Sequence, residues 1–264
     1  MSKNISHQSL AVILAGGKGT RMSSRGRNKT TLEIAGKPLL AYGLDLMSAT
    51  TDETMVVKGA YGESVAKVVE NYQKENPEVR ISLATQRHRL GTGHATLVAD
   101  RELKKRPLQE QPKQVVVGYG DHLMFYHSAT IKKLLEMQAK KGAAVVLVSA
   151  KVPNPTGMGR VIKDEDGNML KVVEEKVATA EEKKIEEINA GLYCFEAEFL
   201  RKYLPKIKKN PTSKEYYLTD LPEFALGAGL KVLVLEVPFH EVGIGINTPE
   251  EMTTSAALLK KTNP

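Results

Sequence analysis

The sequence predicts an α/β protein with a Rossmann-like, doubly wound and mainly parallel, mixed sheet. Three observations predict it. A short apolar run, residues 10–14 (LAVIL), leads straight into the glycine-rich turn LAGGKGTRM, residues 14–22. Segments of strand and helix character then alternate to about residue 148. Beyond that point the alternation gives way to a hairpin and further strands, a β-rich subregion.

Residues 10–14 are nearly all apolar and end at glycine, as a parallel strand buried on both faces must be. Lys37-Pro38 starts a helix with proline in its first turn, and Leu39, Leu40, Gly43, Leu44 and Met47 share one face. Residues 54–57 (TMVV) form the next strand, followed by a helix with Val65, Val68, Val69 and Tyr72 at helical spacing. Residues 80–86 read as strand, 92–104 as helix, and 115–117 (VVV) as a buried strand ending in Gly118-Tyr119-Gly120-Asp121. A helix with Ile131, Leu134 and Leu135 on one face precedes the β-branched strand 143–148. This βαβ order is that of a doubly wound sheet. Residues 160–176 hold two strands around the turn 164–167 (DEDG), and 179–187 form a short solvated helix. Strands follow at 188–195 and 231–237, with a closing helix from Pro249. No repeat or low-complexity linker marks a boundary. Residues 1–264 are therefore expected to form one domain, with a core at about 8–248 and a C-terminal helix at about 249–264.

The bulk numbers exclude several classes. Hydrophobic content of 41% and charged content of 26% are those of a soluble globular chain, with no stretch long enough to span a membrane and no signal-peptide core. One cysteine, Cys194, forms no internal disulfide and suits a reducing cytoplasm. The 38 lysines and arginines against 31 acids give +7, but the cations are spread among glutamates, and five Phe with no Trp leave little for base stacking. Polyphosphate substrates fit that balance better than nucleic acid. The six histidines show no zinc spacing.

Ligands in open α/β sheets bind outside the carboxyl ends of the strands, and three loops fall there. In LAGGKGTRM, glycines let backbone amides approach an anion while Lys18 and Arg21 add charge, so phosphate is the expected ligand. The turn matches neither the dinucleotide fingerprint, since Met22 stands at the closing glycine position, nor the P-loop. Residues 90–94 (LGTGH) open a helix; they fit either close approach to a base or ribose, or a plain helix start capped by Thr92. Asp121 fits either an Mg²⁺ ligand or a helix cap.

The motifs LAGGKGTRM, NKTTLEIAGKPLL, QRHRLGTGHA, GYGDHL, NPTGMGRVI, VVEEK, EINAGLY, EYYLTD and EVGIGIN, in this order from Leu10 to Asn247, resemble the sugar-1-phosphate nucleotidyltransferases. The subgroup they resemble most is the uridylyltransferase domain of the bacterial bifunctional enzymes that make UDP-N-acetylglucosamine. The resemblance implies the nucleotide-diphospho-sugar transferase fold, with the β-rich subregion binding sugar. It implies that Leu14, Ala15, Gly16 and Gly17 cradle a nucleotide, and that Arg21, Lys18 and Lys29 hold phosphates. Gln86, Gly91 and Thr92 resemble the uracil contacts, and Asp121 and Asn247 the magnesium pair. Gly159, Glu174, Asn189, Tyr217 and Thr219 resemble the sugar contacts. Two local departures stand out. The family usually has proline before the lysine where this chain has Asn28, one residue farther from Arg21, and its Asp-x-Pro is here Asp121-His122-Leu123. The left-handed β-helix that carries acetyl transfer in the bifunctional enzymes is not expected in these residues.

The implied substrates are a nucleoside triphosphate, UTP first, and a sugar 1-phosphate, N-acetylglucosamine 1-phosphate first; Mg²⁺ is the implied cofactor. A sugar-phosphate oxygen attacks the α-phosphorus in line and pyrophosphate leaves. The nucleophile, with a second pKa of about 6, is already ionised at neutral pH and needs no general base. Two other readings remain open: a cytidylyl- or thymidylyltransferase acting on another sugar phosphate, and a non-catalytic sugar-nucleotide-binding module.

Overall fold

The computed structural model describes residues 9–19, 26–242, 246 and 248–262. The chain opens with β1 (Ser9–Ala15) and a small hairpin, β2 (Glu33–Ile34) with β3 (Lys37–Pro38). It continues through α1 (Leu39–Ser48), β4 (Glu53–Lys58), α2 (Gly62–Glu75), β5 (Ile81–Thr85), α3 (Thr92–Leu103), β6 (Gln114–Tyr119), α4 (Ser128–Lys141) and β7 (Val145–Lys151). The second half adds β8 (Arg160–Lys163), β9 (Met169–Val173), β10 (Glu187–Glu196), α5 (Ala197–Tyr203), α6 (Leu221–Gly227), β11 (Val232–Glu236), α7 (Phe239–Val242) and α8 (Pro249–Thr262).

Nine strands form one mixed sheet in the order β11-β7-β10-β6-β1-β4-β5, with the β8–β9 hairpin branching from β10. The pairs β1–β4, β1–β6, β4–β5 and β11–β7 are parallel, and β10 runs antiparallel to both neighbours. The period of two along β1 sends Ala11, Ile13 and Ala15 to one face and Leu10, Val12 and Leu14 to the other. Residues of α1, α2 and α4 pack on the first face, and residues of α3, α5 and α6 on the second. Burial on both faces is why β1 carries no polar residue after Ser9. A third, smaller cluster seats Leu259 of α8 beside Ile34, Leu39 and Phe125.

Two local expectations are corrected. Pro38 caps α1 with extended backbone rather than lying in its first turn, because Lys37 and Pro38 pair with Ile34 and Glu33. The stretch 179–187 holds only a one-turn 3₁₀ helix, Glu182–Lys184. Glu187 already belongs to β10, where it is buried, accepts from Ser149 Oγ at 2.7 Å and pairs with Lys163. In the sheet, β10 lies between β6 and β7.

The order of crossovers matters for function. From β1 the chain moves outward to β4 and β5, then returns to place β6 on the other side of β1. The carboxyl ends of β1 and β6 therefore flank a topological switch point, where an open sheet leaves a crevice.

Candidate functional site

A cleft of about 500 Å³ opens at that switch point. Its floor is the turn after β1, residues 14–19, together with Asn28, Lys29, Tyr119 and Asp121. One wall carries Gln86, Arg89, Gly91 and Thr92; the far end carries Glu174, Glu215 and Tyr217.

The glycines of the turn serve separate purposes. A side chain at Gly16 would strike Gln86 Oε1, with Cβ only 2.6 Å away. Gly19 has φ of +61°, in the left-handed region that glycine enters without strain. A Cβ on Gly17 would meet nothing within 4 Å, so its backbone faces open cleft. Among the described residues none accepts a hydrogen bond from the amides of Gly17, Lys18 or Gly19. Backbone donors beside open space are what an anion needs.

Lys29 begins a 3₁₀ turn and forms a short ion pair with Asp121, which follows β6. Their side chains are only 13% and 15% exposed. Burial works against the Asp121 anion, but the charges of Lys29 and His122 outweigh it and hold the carboxyl down at about 2. Asp121 is thus ionised at any physiological pH.

The Gln86 amide is fixed by its surroundings. Nε2 donates to the Gly91 carbonyl at 3.1 Å and meets His94 Nδ1 at 3.0 Å. A carbonyl can only accept, so nitrogen must point that way and oxygen toward Gly16. Burial, followed by the charges of Arg101 and His88, lowers the His94 pKa and favours the neutral ring this contact requires. Gly91 caps α3 with φ of +93°, and a Cβ there would lie 2.5 Å from the Tyr216 carbonyl oxygen. Thr92 is not the cap. Its Oγ1 accepts from the Leu218 amide at 3.1 Å, tying the 90–94 turn to the segment that carries Tyr217.

At the far end burial raises the Glu174 pKa, with the Glu215 charge adding to it and a hydrogen bond from Thr219 opposing. Thr219 Oγ1 donates to Glu174 Oε1 at 2.9 Å. Thr219, Gly159 and Asn189 do not line the cleft; they form the layer behind Glu174, with the Asn189 amide donating to the Gly159 carbonyl at 2.8 Å. The structure thus gathers Leu14, Ala15, Gly16, Gly17, Lys18, Lys29, Gln86, Gly91, Thr92, Asp121, Glu174 and Tyr217 around one space. Arg21 and Asn247 lie outside the described residues, and with them the convergence of Asn247 on Asp121.

Motif reading passed over Asn28, Tyr119, Arg89 and Glu215, which also line the cleft. Arg89, within QRHR beside the Gly-x-Gly turn, carried a local signal of charge. Asn28 carried none, because its partners lie far along the chain. Among the described residues no three or more His, Cys, Asp or Glu gather to hold a metal ion. One ionised carboxylate beside an open phosphate site still fits a hard cation that takes its remaining oxygens from substrate and water.

A family model described as nucleotidyl transferase matches residues 10–235. The bifunctional protein GlmU of Caldicellulosiruptor saccharolyticus is 37% identical over 258 residues, covering 97% of this chain and 53% of that protein. GlmU of Alkaliphilus metalliredigens is 35% identical over 251 residues, covering 95% and 52%. The chain spans about half the length of the curated relatives it matches. Among solved structures, a Bacillus anthracis protein named as a candidate glucose-1-phosphate thymidylyltransferase, in complex with sucrose, superposes with a TM-score of 0.77. It covers 97% of each chain at 17% identity, which establishes a shared fold.

Proposed function

The chain belongs to the nucleotidyl transferase family, and from that premise we propose that it joins a sugar 1-phosphate to UTP, with N-acetylglucosamine 1-phosphate the favoured sugar. The single observation that carries this reading is one continuous cleft. It is lined both by a cationic glycine turn and by a buried carboxylate, so groups suited to phosphate and groups suited to sugar hydroxyls face one space.

Base choice follows from the Gln86 amide. Its free oxygen accepts hydrogen bonds, which suits the N3–H of uracil or thymine and repels the N3 lone pair of cytosine. The cytidylyl alternative is therefore disfavoured on chemistry. The phosphates would lie on the amides of Gly17 to Gly19, with Lys18, Lys29 and Arg21 neutralising charge. Asp121 would hold Mg²⁺, with Asn247 as the second protein donor carried over from the family resemblance. The ion, when bound, adds positive charge where the phosphates of both substrates meet. Glu174 and Tyr217 would bond the sugar hydroxyls, with Thr219, Gly159 and Asn189 keeping Glu174 in place.

In the reaction a sugar-phosphate oxygen forms a bond to the α-phosphorus while the bond to the bridging oxygen breaks, releasing pyrophosphate. Lys29, which lines the cleft, would neutralise charge on both phosphates, and binding both substrates in one cleft would hold them in line. No side chain needs to remove a proton. Among the described residues no helix is long and apolar enough to cross a membrane. Pyrophosphate release measured across UTP, dTTP, CTP and ATP, each with several sugar 1-phosphates, tests the assignment. UTP with N-acetylglucosamine 1-phosphate should give the highest kcat/KM; a higher value with CTP would reverse the argument from Gln86.

A further inference from the structure

Asn28 occupies the position where the resembled family usually has proline, and it is completely buried. Its Nδ2 lies 2.8 Å from the Ala15 carbonyl, 3.1 Å from that of Gly17 and 2.8 Å from that of Ala60. Its Oδ1 accepts from the Thr30 amide at 3.0 Å and from Thr30 Oγ1 at 2.9 Å. The Asn28 amide donates to Ser64 Oγ, and its carbonyl accepts from the amide and hydroxyl of Thr31. Every polar group of the residue is committed, and the partners come from three segments, residues 15–17, 30–31 and 60–64.

The pattern has a direction. Asn28 draws the carbonyls of Ala15 and Gly17 inward, and the Ala60 amide does the same to the carbonyl between them, that of Gly16, at 3.2 Å. Three successive carbonyls are thus committed, while among the described residues the amides of Gly17 and Lys18, in the peptide units of the last two, have no acceptor. The next residue, Lys29, reaches Asp121 from the same anchored segment.

We propose that Asn28 is a positioning residue for the phosphate turn, setting the direction of its backbone amides and the origin of Lys29 through its carboxamide. The proposal rests on the reading of this cleft as a nucleoside triphosphate site. The backbone of Asn28, at φ −69° and ψ 140°, suits proline as well. Proline would keep the backbone shape of the segment but supply neither the side-chain donor nor the N–H that bonds Ser64 Oγ. Asn28→Pro therefore keeps the bend while removing the carboxamide and the Ser64 bond, and Asn28→Ala removes the carboxamide alone.

Three measurements on the full chain decide it: KM for each substrate, thermal midpoint, and amide exchange without ligand. In both Asn28 variants the triphosphate KM should rise tenfold or more, while the sugar-phosphate KM stays within about twofold. Exchange of the Ala60 amide, bonded to the turn, should quicken. Leu134→Ala, a core truncation in α4 away from the cleft, is the control for general destabilisation. The proposal is overturned if the folded Asn28 variants keep the wild-type triphosphate KM, or if both KM values rise together as in the control. If the wild-type protein binds no nucleoside triphosphate, the functional reading fails. Unchanged Ala60 exchange in Asn28→Ala would overturn the clamp independently.

Discussion

Glu174 shows how one buried side chain links stability to substrate choice. Burial raises its pKa, so between the ordinary carboxylate range and that raised value the folded state holds more protons than the unfolded one. Stability contributed at this position therefore falls as pH rises through that window and stays lower above it. Glu174→Gln, which keeps an acceptor for Thr219, should melt higher than wild type at pH 8, and the difference should shrink toward pH 4. Equal differences at the two pH values would mean that Glu174 carries no such cost. Glu174→Ala should raise the sugar-phosphate KM well above any change in the triphosphate KM.

Lys29 and Asp121 behave in the opposite sense. The Asp121 carboxyl, held at about 2, contributes stability above the ordinary carboxylate value that is lost as pH falls through about 2. Lys29→Met should cost about 2–3 kcal/mol at pH 7, below the range for breaking a fully buried pair because both groups retain some exposure. Urea titrations at pH 7 and pH 3 should show the gap narrowing in acid. Turnover should fall on the order of 10²-fold, the scale for losing one preorganised charge donor.

At the scale of elements, the turns that meet above the cleft are the sensitive places. Gly91 combines φ of +93° with a Cβ position 2.5 Å from the Tyr216 oxygen, whereas Gly142, ending α4 at φ +58°, has open space around it. Gly91→Ala should therefore cost about 2–4 kcal/mol from strain plus overlap, and Gly142→Ala about 1 kcal/mol from the dihedral alone. Denaturant midpoints measure both; equal losses would show that overlap at Gly91 is relieved cheaply. The same elements show what a sequence can disclose. β1, β4 and β6 were legible as short apolar runs buried on both faces, and α2 because its helical period matches its burial. The insertion of β10 between β6 and β7 was not, since its partners lie 40 and 78 residues away in the pairs Asn189–Ser149 and Cys194–Val116. Likewise Asp121 could be named from local chemistry and Lys29 and Gln86 from the family resemblance, but Asn28 acquires its meaning from carbonyls 13 and 32 positions away.

Across the whole molecule, the crossover order places the cleft. Because β6 returns to the far side of β1, the glycine turn and Asp121 come to share one floor, and the β8–β9 hairpin brings Glu174 to its far end. The central claim is that this single cleft joins two substrates rather than holding one. Phosphorus NMR of the purified chain with UTP, N-acetylglucosamine 1-phosphate and Mg²⁺ observes that directly. The account predicts that both substrate signals decay together, in equal amounts, into a nucleotide-sugar diphosphate and pyrophosphate, and that chelating the metal stops the conversion. Line broadening of UTP on binding, with no pyrophosphate formed from any sugar 1-phosphate tried, would contradict it and leave a sugar-nucleotide-binding module as the better description.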